Sequence, residues 1–227
     1  MLNKYFILFL SIATMACITS PIYHVQAQEN NYDTVRYDYS FSFKNGVYTS
    51  FHAFRNNDPI PFERFVSPSY GNDFFHKLLT AETITFYDSN GTLNEIPRKL
   101  VWGYANNGKP NIYWSEKFYL IPYIGTISHF MSTEIVTRYI NSGGTMMYDP
   151  MYIPSTQSYT TEELVHYFID MNTGKIIPYG SKSLLELIKD DTELYNEYTK
   201  LGKRKRNKSI MEYVQKYNRK HPIYFNK

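Results

Sequence analysis

The densest charge in the chain is Lys203-Arg204-Lys205-Arg206, with Lys208 just beyond it. Such a cluster holds phosphate groups of nucleic acid or an anionic membrane surface, or it forms a solvated helix face that complements acids of the same chain. Aromatic side chains that stack on bases are not interleaved with it, so the solvated face is the expected role and nucleic acid is not an expected partner. A second candidate contact surface is Met146, Met147, Tyr148 and Met151, in a stretch from Asn141 to Thr161 that has no periodicity and holds Gly143-Gly144 and two prolines. Methionine adapts to irregular surfaces, and a loop of that length is uncommon in a compact domain unless it is functional. Packing of the loop on its own body is the alternative.

Spacings that carry catalysis are missing. A serine nucleophile asks for Gly-x-Ser-x-Gly or a comparable setting, and Ser128-His129 are neighbours that a strand would turn to opposite faces. Glu163-Leu164-Val165-His166 has the Glu-x-x-His spacing of helix-borne metal sites, but those sites need two copies and further Glu, and this copy lies where a strand begins. A structural histidine is expected there. His52, His76, His129 and His221 form neither H-x-H nor H-E-x-x-H, so no zinc site is expected. Glycoside hydrolysis needs two carboxylates roughly 5 to 9.5 Å apart, and sequence alone cannot choose a pair from 21 acids. No cofactor is expected: nucleotide-binding glycine motifs are absent, and Gly180-Ser181-Lys182-Ser183 imitates only the tail of a P-loop.

The elements that must position these residues divide by period. Aromatics make up 18% of the 227 residues, with 23 Tyr, 15 Phe and only 2 Trp, which favours pleated surfaces over helix interiors. Val35 to Phe43 alternates large apolar with polar residues and predicts a strand, with Asn45-Gly46 as its tight turn and Val47-Tyr48 returning. Ser50 caps a predicted short helix to Asn56, and Phe74 to Leu79 is a further short helix. Strands are predicted at Thr83–Tyr87, Leu100–Ala105, Asn111–Trp114, Phe118–Ile121 and Gly125–Met131, with a hairpin at Val165–Ile169 and Lys175–Tyr179. A turn centred on Gly108 would set Trp102 against Trp114 and Tyr104 against Ile112, an aromatic stripe that covers a core or stacks on sugar rings.

Beyond residue 180 the period becomes helical. Ser183 with Glu186 and Asp190 with Glu193 match capping boxes, and a third helix is predicted over Ser209–Asn218, stopped by His221-Pro222. Leu187, Leu194, Tyr198, Val214 and Tyr217 are its expected buried side chains. From Lys200 to the end ten Lys or Arg meet one acid, Glu212, whereas residues 28 to 199 hold 13 basic and 20 acidic side chains. The fold class expected is α+β: a mainly antiparallel β meander followed by C-terminal amphipathic helices. The domains expected are a β-rich one over 28–180 and a basic helical segment over 181–227 packed on it.

The N-terminus carries an address. Lys4 precedes an apolar run from Tyr5 to Ile18, and the polar stretch after it ends in Val25-Gln26-Ala27, with small residues at the cleavage positions. The run is about 14 residues, short of the roughly 20 that span a bilayer. Residues 1–27 are therefore predicted to be a signal peptide, and the mature chain a periplasmic or extracellular protein. Cys17 is the only cysteine, so cleavage after Ala27 removes disulfides, thiolate metal sites and a Cys nucleophile together. Membrane anchoring is expected only if Cys17 is itself the lipidated N-terminus, and Thr14 stands where a lipobox has Leu.

With these residues in view, the chain resembles a family of uncharacterised exported proteins of Bacteroidota-type bacteria. The resemblance rests on Lys44-Asn45-Gly46-Val47-Tyr48 with Phe54, Asn56, Asn57 and Pro59; on Val101-Trp102-Gly103-Tyr104 with Ile112-Tyr113; on Thr173-Gly174-Lys175-Ile176; and on Tyr217-Asn218 with His221-Pro222-Ile223-Tyr224-Phe225. It implies export and a sheet followed by helices, and brings no activity. The function expected first is a non-enzymatic protein that binds a protein or glycan partner or has a structural envelope role. A hydrolase with paired carboxylates ranks second, and a small outer-membrane barrel last, because charged C-terminal helices have no place in lipid.

Overall fold

Residues 33–66, 80–141 and 156–227 are described in the computed structural model of this protein, the side chains of 140, 141, 156 and 157 excepted. In chain order the strands are β1 (Thr34–Arg36), β2 (Gly46–Tyr48), β3 (Thr83–Tyr87), β4 (Leu93–Pro97), β5 (Gly103–Asn106) and β6 (Lys109–Trp114). They continue as β7 (Lys117–Leu120), β8 (Ile127–Asn141), β9 (Thr156–Asp170), β10 (Ile176–Pro178) and β11 (Tyr224–Asn226). The helices are α1 (Phe51–Arg55), α2 (Ser181–Leu187), α3 (Thr192–Thr199), α4 (Lys203–Lys208) and α5 (Ile210–Lys220). The fold is α+β, and its strands pair antiparallel in four sheets: β2-β5-β6-β7, β10-β9-β8, β3-β4 and β1-β11. None of the described helices is long and apolar enough to cross a membrane.

Two tight turns set the four-stranded sheet. Asn107 (φ 51°) and Gly108 (φ 70°) join β5 to β6, and Ser115 (φ 46°) and Glu116 (φ 67°) join β6 to β7. Two successive positive-φ residues match the twist of the strands they connect. This register pairs Tyr104 with Asn111 and Gly103 with Ile112, one residue away from the pairing expected of a turn centred on Gly108 alone. A slip of one exchanges faces, so the expected facing of Trp102 on Trp114 and of Tyr104 on Ile112 does not occur. Instead Tyr48, Ala105 and Ile112 join the main core, while Val47 joins a smaller one with Phe65, Ile84 and Val101, where Tyr104 and Phe118 pack. Both faces of the sheet are covered.

Other expectations are corrected by long-range contacts. The alternating segment Val35–Phe43 is a strand only over Thr34–Arg36, because Asp38 turns the chain by accepting the Ser40 N–H at 2.8 Å and its hydroxyl at 2.6 Å. Tyr37, Phe41 and Phe43 then gather on the Phe225 ring, with centroids 5.9, 5.4 and 4.9 Å away, and Tyr39 is left in solvent. The predicted Asn45-Gly46 hairpin does not form, since β2 pairs with β5. Gly46 (φ 148°) is needed because a Cβ there would stand 2.3 Å from the Ile60 carbonyl oxygen. The irregular stretch expected over Asn141–Thr161 is strand at Asn141 and from Thr156 onward, where β8 and β9 form a ribbon of 15 residues on each side. The predicted helix at Phe74–Leu79 lies outside the described residues.

At the helical end, α2 starts at Ser181 after Gly180, so Ser183 lies inside it and caps nothing. Asp191, not Asp190, caps α3, accepting the Leu194 N–H at 3.0 Å. Leu194, Tyr198, Val214 and Tyr217 are buried with Ile127 and Phe168 of the ribbon base, while Leu187 is half-buried at the margin. The junction is locked by Asn218, whose amide accepts from Ile127 N and donates to Ile127 O, both at 2.8 Å. Thr126 hydroxyl donates to the His221 carbonyl beside it. Past His221 the chain returns to its start: β11 pairs with β1, and Asn57 Nδ2 donates to the Asn226 carbonyl at 2.9 Å.

Candidate functional site

Among the described residues, both tryptophans of the chain line one groove of about 590 Å³. It is built from three sequence-distant pieces. Ser50 Oγ accepts the Ala53 N–H at 3.0 Å and so starts α1, which presents Phe51 to the groove and buries Phe54. Phe54 stacks on Trp102 at 4.1 Å between centroids and 21° between planes, fixing the indole as a half-buried wall. The Ser115-Glu116 turn ends β6 so that Trp114 stands at the groove, packed on Tyr167 at 5.2 Å and on Phe130 at 6.3 Å, while Tyr113, one residue earlier on the strand, turns its ring to the opposite face onto Phe118 at 5.0 Å. Ile176 of β10 closes the floor, Thr49, Ser50 and Ser115 supply hydroxyls, and Lys99 is the one charged lining residue.

Behind Trp114 is a polar support. Tyr167 hydroxyl donates to Glu134 Oε1 at 2.6 Å and Ser132 hydroxyl to the same oxygen at 3.0 Å. The Tyr167 hydrogen bond, seconded by Ser132, holds the Glu134 carboxyl below its ordinary range. The Trp114 Nε1 is buried and has no hydrogen-bond partner among the described residues.

A second groove, about 860 Å³, lies between the β9-β10 turn and α2. It carries Asp170, Glu186 and Asp190 among Lys175, Lys182 and Lys189, but two of these acids are already engaged. Asp170 accepts the Asn172 N–H at 3.0 Å and the Thr173 hydroxyl at 2.7 Å of its own turn. Asp190 takes the Tyr217 hydroxyl at 2.9 Å, and burial together with that carboxylate pushes the tyrosine well above its ordinary value. These are carboxylates that hold turns and helices in place.

Sequence spacing missed one pair. His129 Nε2 and His166 Nδ1 lie 3.0 Å apart in a mutual hydrogen bond, with Tyr179 against both rings. They are brought together by the β8-β9 register across 37 residues of chain, which a search for local motifs does not reach. Burial first, and His166 second, lower the affinity of His129 for a proton. Among the described residues no group of three or more His, Cys, Asp or Glu is arranged to hold a metal.

The predicted interaction residues fall in different places. Lys203, Arg204 and Lys205 project into solvent from α4, and Arg206 is half-buried, with its carbonyl accepting the Tyr198 hydroxyl at 3.0 Å. Met146, Met147, Tyr148 and Met151 lie outside the described residues. The groove is half legible in the sequence: both tryptophans belong to a stripe expected to cover a core or to stack on sugars, and they do pack against the main core, whereas Phe51 and Ile176 arrive from elements with no local mark of the site.

Neither the curated proteins nor the solved structures contain a match to this chain. A family match covers residues 99–221, from the lysine at the rim of the aromatic groove to the histidine that ends α5. That span exceeds half of the 227 residues and holds both tryptophans, the histidine pair and the Asn218 lock. On that match the protein belongs to DUF6563, a family of unknown function.

Proposed function

We propose that this is an exported, non-enzymatic binding protein of the cell envelope whose aromatic groove takes a carbohydrate chain. The observation that carries the reading is the convergence of both tryptophans with Phe51 on one open groove that Thr49, Ser50 and Ser115 also line. Flat, rigid aromatic faces cover the apolar faces of sugar rings at low entropic cost, while hydroxyls and a few polar groups fix orientation. Among the described residues no carboxylate lines the groove, whereas glycoside cleavage uses a pair of them. Export is supported by the apolar run from Tyr5 to Ile18 and the Val25-x-Ala27 site.

The tryptophans make the test direct, because both report from the groove. Soluble peptidoglycan fragments and β-glucan and mannan oligomers are titrated against the mature protein while intrinsic fluorescence is followed. A saturable shift with at least one of them, weakened about tenfold by Phe51→Ala, is expected, since loss of a stacking ring removes about 1.4 kcal/mol. Failure of every oligomer to move the spectrum would overturn the carbohydrate reading. N-terminal sequencing of the native product is expected to begin near Gln28, and an acylated Cys17 as first residue would overturn release into a soluble state.

A further inference from the structure

The cations of the C-terminal region divide into two sets. Lys216 pairs with Glu197 at 2.9 Å and Glu212 at 3.1 Å, Lys220 with Asp191 at 3.0 Å and Glu193 at 2.8 Å, and Lys227 with Asp33 at 3.1 Å. The acids of α3 and its cap are thereby consumed by α5. Lys203, Arg204, Lys205 and Lys208 make no ion pair among the described residues, and with Gly202 they line a concavity of about 480 Å³ that has no carboxylate in its wall. Complementing acids of the same chain is therefore the role of Lys216 and Lys220, and not of α4.

Unneutralised cations held this close repel one another, a cost that water and salt reduce and that a bound anion turns into attraction. The form of α4 selects among anions. Its sequence Lys-Arg-Lys-Arg-Asn-Lys has no apolar side chain, so it lacks the face with which amphipathic helices seat in a bilayer. It also has no aromatic ring to stack on a base. At 100° per residue, positions 203, 204, 205 and 208 spread over more than half of the helix circumference, which suits a flexible chain that wraps better than a flat surface. We infer that α4 is a docking site for an acidic polysaccharide, held through its sulfate or phosphate groups. The site stands on charge and shape alone and is independent of the aromatic groove.

Dextran sulfate is the probe, with uncharged dextran as control. Binding to the mature protein is expected at low salt, with affinity falling steeply as salt rises, and Lys203→Gln/Arg204→Gln/Lys205→Gln/Lys208→Gln is expected to lose about tenfold or more. Arg206 is left in place because its backbone takes part in packing. The unfolding midpoint of the quadruple variant should match the parent, which separates lost binding from lost structure. Lys216→Gln/Lys220→Gln removes paired cations and should change affinity far less. An equal loss in both variants would mean a general charge effect and overturn the site. Retained affinity in the quadruple variant would overturn it as well, as would tighter binding, at equal anion concentration, to phosphatidylglycerol vesicles or duplex DNA than to dextran sulfate.

Discussion

Single residues decide more of this fold than their size suggests. Gly46 has a positive φ and leaves only enough room for the Ile60 carbonyl. Gly46→Ala should therefore lower unfolding free energy by about 2 kcal/mol or more, read by urea denaturation, since strained φ and a backbone clash add. His129 supplies a pH dependence of known sign. Burial and the neighbouring ring make the folded protein bind a proton at His129 less readily than the unfolded chain does. The unfolded state thus holds more protons, so stability rises with pH. The contribution is complete above the ordinary histidine value of about 6.5 and is lost as pH falls through and below it. Unfolding in urea at pH 7.5 and 5.5 should show a drop that shrinks in His129→Gln. A drop unchanged in that variant would assign it to other groups. Asp191 acts in a separate, more acidic window: the Leu194 N–H first, then Lys220 and His221, hold its carboxyl low, so its contribution is present above about 4 and lost below.

At the scale of elements, α5 is the keystone of the helical half. Val214 is fully buried between Tyr213, Tyr217 and the ribbon base, so Val214→Asp should cost about 3 to 5 kcal/mol, or abolish the folded state, as followed by circular dichroism on heating. Asp191→Ala removes the α3 cap and an ion-pair partner of Lys220, for which a loss of about 1 to 2 kcal/mol is expected in the same assay. Legibility also divides at this scale. The strands and turns of the β5-β6-β7 segment, though not its register, the Ser50 cap and the apolar face of α5 are readable because neighbouring residues decide them. The segment Val35–Phe43 was misread because its aromatics are gathered by Phe225, nearly the whole chain away. Residues 156–164 were missed for the opposite reason. On this ribbon Ser158, Thr160, Glu162 and Leu164 are exposed and Thr161 and Glu163 only half-buried, so no apolar alternation marks them. Ion pairing across the strands, Arg138 to Glu163 at 2.6 Å, takes the place of a core there.

Across the whole molecule, the strand pair β1-β11 joins the two ends of the described fold. Phe225 is fully buried in the main core, and Lys227 reaches Asp33 both through its N–H to the carbonyl at 3.2 Å and through its ammonium. Removing Ile223–Lys227 would take out a core ring and the acceptor of Asn57 while leaving every helix intact. That truncated chain should keep much of its far-ultraviolet circular dichroism, lose its cooperative thermal transition, and be cut rapidly by trypsin. A cooperative transition within a few degrees of the parent would refute this. The pairing also fixes the order of events in the life of the chain. Contacts between residues this distant form late, so Tyr37, Phe41 and Phe43 have no ring to close on until Phe225 arrives from the far side of the fold. The main core is therefore sealed by its longest-range contact, and an intermediate with every hairpin and helix in place still exposes an aromatic cluster that a hydrophobic dye would report.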